Sequence, residues 1–104
     1  MKKIVFDFQI IDSEDKLYDL IEKELDINQY IKDKWGRNLH AFWDLYSYSK
    51  DSVLFEIKNY ENISDKNFKS FIDVFIQYLE DLKGYKDNGK KITPNPNFDY
   101  KIIS

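Results

Sequence analysis

A chain of 104 residues, 42% hydrophobic and 34% charged, has the balance of one folded domain, 1–104; two domains would each be too small to form a core unaided. It has no cysteine, which excludes a disulfide scaffold, thiolate metal sites and a cysteine nucleophile, and the single histidine, His40, leaves little for zinc sites or histidine catalysis. Sixteen basic against nineteen acidic residues give a net charge of −3, so long-range attraction to nucleic acid or anionic lipid is unfavourable and a basic protein is the natural electrostatic partner.

The chain opens on Met1-Lys2-Lys3 and runs into Ile4-Val5-Phe6-Asp7-Phe8. Ile4, Phe6 and Phe8 share one face at period two, which predicts a strand over 3–8. Asp7 breaks the apolar run, so the start does not read as a signal peptide. No stretch approaches the roughly 20 apolar residues of a membrane span, and a cytoplasmic protein is expected. Asp12 or Ser13 can cap a helix with Glu14 and Asp15 in its first turn, where the helix dipole favours acids. Leu17, Leu20, Ile21 and Leu25 then recur at helical spacing, predicting an amphipathic helix through about Glu24.

Residues 26–37 read as irregular and charged. Gly36 is free to take a positive φ, and Asn38 suits an N-cap. Leu39, Phe42, Trp43 and Tyr46 predict a second helix over about 39–47. The nearly continuous apolar run Val53-Leu54-Phe55-Glu56-Ile57 predicts a strand covered on both faces. Ser64 is the expected cap of a longer third helix with Phe68, Phe71, Ile72, Phe75, Leu79 and Leu82 as its stripe and Lys83-Gly84 as its stop. Residues 84–97 hold Gly84, Asn88-Gly89, Pro94 and Asn95-Pro96 and read as a loop or hairpin-like excursion. Phe98, Tyr100 and Ile102 alternate with Asp99 and Lys101, predicting a last strand. The order β–α–α–β–α–β places helices between strands and favours an α/β fold with parallel neighbours.

Motifs for catalysis or cofactors are missing from this pattern. Three glycines, Gly36, Gly84 and Gly89, cannot build a phosphate-cradling or dinucleotide loop. His40 and Asp44, four apart on one helix, read either as an oriented base or as a solvated pair, and no nucleophile lies near them in sequence. Lys86, Lys90 and Lys91 form a basic cluster in the late loop. On the third helix Asp73, Gln77 and Glu80 fall opposite the apolar stripe. Trp43 shares the stripe of Leu39 and Phe42, so it reads equally as core or as an exposed anchor, and Asn38 as a cap or a contact. Asp44 escapes both explanations: it lies off the stripe and past the first turn.

The segment Trp35-Gly36-Arg37-Asn38-Leu39-His40-Ala41-Phe42-Trp43-Asp44 resembles the signature of the barstar family, small intracellular inhibitors of ribonucleases, whose pattern there is aromatic-Gly-x-Asn-Leu-Asp-Ala-Leu-Trp-Asp. Lys2-Lys3 with the first strand, Lys23-Glu24-Leu25, Val74-Phe75 and the ending Ile102-Ile103-Ser104 also resemble it, in the same order. The resemblance implies a barstar-like three-stranded parallel sheet with helices packed on it. It implies too that a helix and its preceding loop plug a ribonuclease active site. Asp44 would then enter where substrate phosphate binds, with Trp35 and Trp43 as packing anchors and Gly36, Asn38 and Leu39 shaping the loop and helix start. Asp73 and Gln77 would flank this face from the third helix.

This chain departs from the family where His40 replaces a second interfacial aspartate, Arg37 an acid, Lys34 an aromatic and Gln77 an acidic contact; His40 is the position expected to tune partner choice. The expectation is a monomeric cytoplasmic immunity protein, not an enzyme, needing no metal or cofactor. Its partner would be a small basic ribonuclease or related nuclease toxin, with no direct contact to nucleic acid or membrane. The alternative is a barstar-like interaction module with a different partner and no inhibition of barnase-type ribonucleases.

Overall fold

The computed structural model describes residues 2–24, 35–49 and 52–103, with the side chains of 48 and 49 excepted. Leu25, the charged run to Lys34 and Ser104 lie outside the described residues. Strands β1 (Lys2–Asp7), β2 (Val53–Lys58) and β5 (Phe98–Ile103) form a three-stranded sheet in the order β1-β2-β5, parallel throughout. Helices α1 (Glu14–Glu24), α2 (Leu39–Ser49) and α3 (Lys66–Lys83) pack on it. The architecture is the expected α/β fold, because each helical crossover returns the chain to the same end of the sheet.

Period-two alternation sends Ile4 and Phe6 of β1, Val53, Phe55 and Ile57 of β2, and Phe98 of β5 into the core. There the aromatic rings interlock. Phe6 lies 4.8 Å from Phe55 and 5.4 Å from Phe75, while Phe42 lies 5.4 Å from Phe75 and 5.0 Å from Tyr46. Contacts of this kind add to the area they bury. The face runs out along β5: Phe98 is buried, Tyr100 half-buried and Ile102 49% exposed.

The second face of β2 is also covered, by charged groups and not by apolar ones. Glu56 is buried there between Lys3 of β1, at 3.3 Å, and Lys101 of β5, at 3.2 Å. Two lysine ammonium groups and their aliphatic stems shield the carboxylate from water. Burial opposes its charge, but the hydrogen bonds from Lys101 and Lys3 outweigh that and hold its pKa below the ordinary value.

The cap of α3 is Asp65, not Ser64. The Asp65 carboxylate accepts from the Phe68 N–H at 2.8 Å, leaving Ser64 one residue outside the helix. The 84–97 segment contains a true hairpin: β3 (Tyr85–Asp87) pairs antiparallel with β4 (Lys90–Ile92). Its two-residue turn has φ of 52° at Asn88 and 80° at Gly89, the left-handed pair that an Asn-Gly turn supplies. After it, Asn95 is fully buried and binds three elements. Its side-chain amide donates to the Tyr46 carbonyl of α2 at 3.2 Å, its own N–H donates to Leu82 of α3 at 3.2 Å, and its carbonyl accepts from Phe98 at 3.2 Å.

Candidate functional site

The chain enters α2 through two residues with positive φ, Gly36 at 73° and Arg37 at 47°. A Cβ on Gly36 would meet the Asn38 amide at 3.1 Å. Asn38 then caps the helix: its Oδ1 accepts from the Ala41 N–H at 2.8 Å, and its carbonyl accepts from Phe42 at 3.0 Å. This turn is held down from within. Trp35 is 5% exposed, meets Tyr18 edge-on at 5.5 Å, and donates its indole N–H to Glu22 at 3.1 Å. Leu39 is likewise buried. Both shape the site from inside the molecule and present little surface of their own.

Arg37 folds back onto α1. Its guanidinium pairs with Asp19, lies 3.1 Å from Glu22 and 3.9 Å from Asp15, and sits 5.7 Å from the Tyr18 ring centre. Three acids of one helix thus surround the Arg37 guanidinium. This cluster is not visible in the spacing of the sequence, since it joins positions 15–22 to position 37.

The outward side of α2 carries His40 and Asp44. Their side chains are 74% and 48% exposed, with His40 Nε2 at 3.7 Å from Asp44 Oδ2. That is a solvated i,i+4 pair with the Asp44 carboxylate open to water on one side. Trp43 lies on the flank of the helix, half-buried, with its ring 6.3 Å from that of Tyr85 on the hairpin. Its indole nitrogen is buried and has no hydrogen-bond partner among the described residues. Ser47 donates to the Trp43 carbonyl at 2.8 Å and steadies the same turn. Tyr85 is the member of this surface that the sequence reading did not pick out, although the Asn88-Gly89 signal foretells the hairpin that delivers it.

The third-helix residues are exposed but separately engaged. Asp73 accepts the hydroxyl of Tyr60, from the short 3₁₀ turn Tyr60–Asn62, and that hydrogen bond, with burial second, raises the Tyr60 pKa. Gln77 donates to Asp81 at 3.2 Å, and Glu80 accepts from Tyr100 at 2.7 Å. The helices themselves touch through Phe42 and Phe75, yet no hydrogen bond or ion pair among the described residues joins Asp73 or Gln77 to His40 or Asp44. Two polar faces result, one on each helix.

A carboxylate on a capped helix, flanked by a half-buried indole, can pair with a cation of another molecule. Among the described residues no three His, Asp or Glu side chains are grouped to hold a metal ion, and no helix is long and apolar enough to cross a membrane. No known family model matches the chain, and no characterised protein matches it by sequence.

Proposed function

We propose that this protein is a barstar-like inhibitor, an immunity protein that blocks the active site of a small basic ribonuclease toxin through α2 and the turn before it. The observation that carries the reading is the setting of Asp44. Its carboxylate is half exposed on a helix whose start is fixed by the Asn38 cap and the buried Trp35. A negative group held in advance stands in for a substrate phosphate at little cost in entropy when it binds. The family signature around it supplies the partner class.

The placement of Arg37 supports the same reading. A free guanidinium beside Asp44 would repel a basic enzyme, but the acids of α1 hold it inward. Among the described residues His40 pairs with Asp44, and its side chain is largely exposed. A small local change at this position retunes which ribonuclease is accepted. Acting by occlusion, the protein needs no metal or cofactor and works in the cytoplasm as a monomer.

The test is calorimetric titration into a barnase-type ribonuclease at low and high salt, with Asp44→Ala and His40→Asp alongside. Truncating one partner of a desolvated charge pair costs about 2–5 kcal/mol, so Asp44→Ala should weaken binding by roughly thirtyfold or more. His40→Asp should tighten it. Absence of binding in both the wild type and His40→Asp would refute inhibition of this enzyme class. The exposed His40 then favours a barstar-like module serving another partner.

A further inference from the structure

The turn of the β3–β4 hairpin holds an asparagine unlike the others. Of the eight asparagines in the chain, seven are followed by a large side chain or by proline, and Asn88 alone by glycine. Several of the others are also tied down. Asn38 accepts from the Ala41 N–H at 2.8 Å, Asn59 donates to Asp7 at 2.7 Å, Asn62 donates to Asn59 at 3.1 Å, and Asn95 is fully buried. Asn88 and Gly89 are exposed, and the Asn88 amide makes no hydrogen bond among the described residues. A Cβ on Gly89 would meet nothing within 4 Å, so the turn projects into open space.

Asparagine is a labile residue, and a following glycine removes the side chain that would hinder its reaction. The Gly89 nitrogen attacks the side-chain carbonyl carbon of Asn88: the N–Cγ bond forms, the Cγ–Nδ2 bond breaks, and ammonia leaves with the proton that the Gly89 nitrogen gives up. Water then opens the five-membered imide. Attack at Cγ yields aspartate. Attack at the main-chain carbonyl yields isoaspartate, in which the chain runs through Cβ and Cγ and is one carbon longer. The closed turn, with φ of 52° at Asn88 and 80° at Gly89, is not the reactive shape, since the attack needs ψ of Asn88 rotated out of the turn. The hairpin supplies that opening. Two strands of three residues, Tyr85–Asp87 and Lys90–Ile92, are marginal by themselves, and Lys86 directly opposite Lys91 sets like charges against each other.

We propose that Asn88 is a site of spontaneous deamidation, and that its isoaspartyl product undoes the hairpin and releases Tyr85 from Trp43. A two-residue turn of this kind closes on two positive φ values, and the added carbon breaks the spacing that sets Asp87 opposite Lys90. The hairpin is what holds the Tyr85 ring 6.3 Å from that of Trp43, so the flank of α2 loosens with it. The aspartyl product differs, because Asp-Gly suits the same turn. The chemistry does not depend on the inhibitor reading; under that reading the change falls on the helix that carries Asp44.

The experiment is incubation of the full chain at body temperature, at neutral and mildly alkaline pH, followed by peptide mapping with mass spectrometry beside a synthetic peptide of residues 84–93. Conversion is expected at Asn88 before any other asparagine and faster in alkali, where the attacking nitrogen loses its proton. It should run slower than in the peptide, because the turn is mostly closed, and be absent in Asn88→Gly, which keeps a turn of the same type. In the separated isoaspartyl form the Trp43 indole N–H resonance should shift by NMR and that of Trp35 stay, while Asn88→Asp leaves both in place. Conversion that begins at another asparagine, or none detectable at Asn88 when the peptide is consumed, would overturn the site. An isoaspartyl form with Trp43 unmoved would overturn the release of Tyr85. An equal shift in Asn88→Asp would assign the effect to charge and overturn the lengthened chain as its cause.

Discussion

Asn95→Ala is the sharpest test of how this fold is closed. Asn95 is 0% exposed, and its side chain donates to the Tyr46 carbonyl at 3.2 Å and accepts from the Asn97 N–H at 3.0 Å. The alanine keeps the backbone bonds of residue 95 but loses both of these. Each is worth about 1 kcal/mol net, and a donor left buried and unmet adds to the loss, so a destabilisation of about 2–3 kcal/mol is expected. With a urea m-value of about 1–1.5 kcal/mol/M for a domain of this size, the midpoint should fall by about 2 M. Asn95→Asp separates the hydrogen-bond account from a simple loss of volume. It retains an acceptor for Asn97 but turns a carboxylate oxygen toward the Tyr46 carbonyl, so its buried carboxyl should titrate high. A group with a raised folded pKa contributes most below its unfolded pKa and loses that as pH rises. The deficit of Asn95→Asp relative to wild type should therefore narrow as the solution is acidified. A midpoint for Asn95→Ala within about 0.5 M of wild type, or an Asn95→Asp deficit that does not change with pH, would refute the reasoning.

Other expectations follow from the same geometry. Phe75→Ala, which removes the ring packed at 5.4 Å against both Phe6 and Phe42, should cost about 3–5 kcal/mol in chemical denaturation. Burial first, then nearby acids, pushes Tyr18 and Tyr100 up to about 12; absorbance titration should find these two among the last tyrosines to ionise. Since their folded pKa values exceed the ordinary 10.0, their contribution is full below that value and is lost between there and about 12, so alkaline unfolding should set in across that window. Glu56 has the opposite sign. Despite burial, the hydrogen bonds from Lys101 and Lys3 lower its pKa, so its contribution is present above the ordinary 4.5 and lost as pH falls through the folded value. A Glu56→Gln chain should show a flatter stability profile in acid, measured by urea midpoints across that range.

Local rules in the sequence determined the elements and their order. Alternating Ile4, Phe6 and Phe8, the helical stripes of Leu17–Ile21 and Phe68–Leu82, and the Asn88-Gly89 turn each act over a few residues. The three sheet strands and the three helices lie within a residue or two of where those patterns put them, and the hairpin β3–β4 lies inside the 84–97 segment read as a loop or hairpin-like excursion. The parallel sheet followed from helices lying between strands, while Asn38 read as a cap or a contact until its Oδ1 was found on the Ala41 N–H. Where two neighbours competed for one role, Ser64 and Asp65 at the head of α3, geometry decided: only Asp65 reaches the Phe68 N–H.

What tertiary structure alone decided was the pairing of distant charges and the burial of ambiguous side chains. No periodicity links Arg37 to Asp15, Asp19 and Glu22, or Glu56 to Lys3 and Lys101, because those contacts arise when separate elements meet. Trp35 became an internal strut and Trp43 a half-exposed flank against Tyr85, although both are tryptophans within one short segment. Asn95 reads in sequence as a loop breaker beside Pro96, and the fold makes it the buried joint between α2, α3 and β5. A side chain's type limits what it can do. Its neighbours, brought together by long-range packing, fix its burial and therefore its energy.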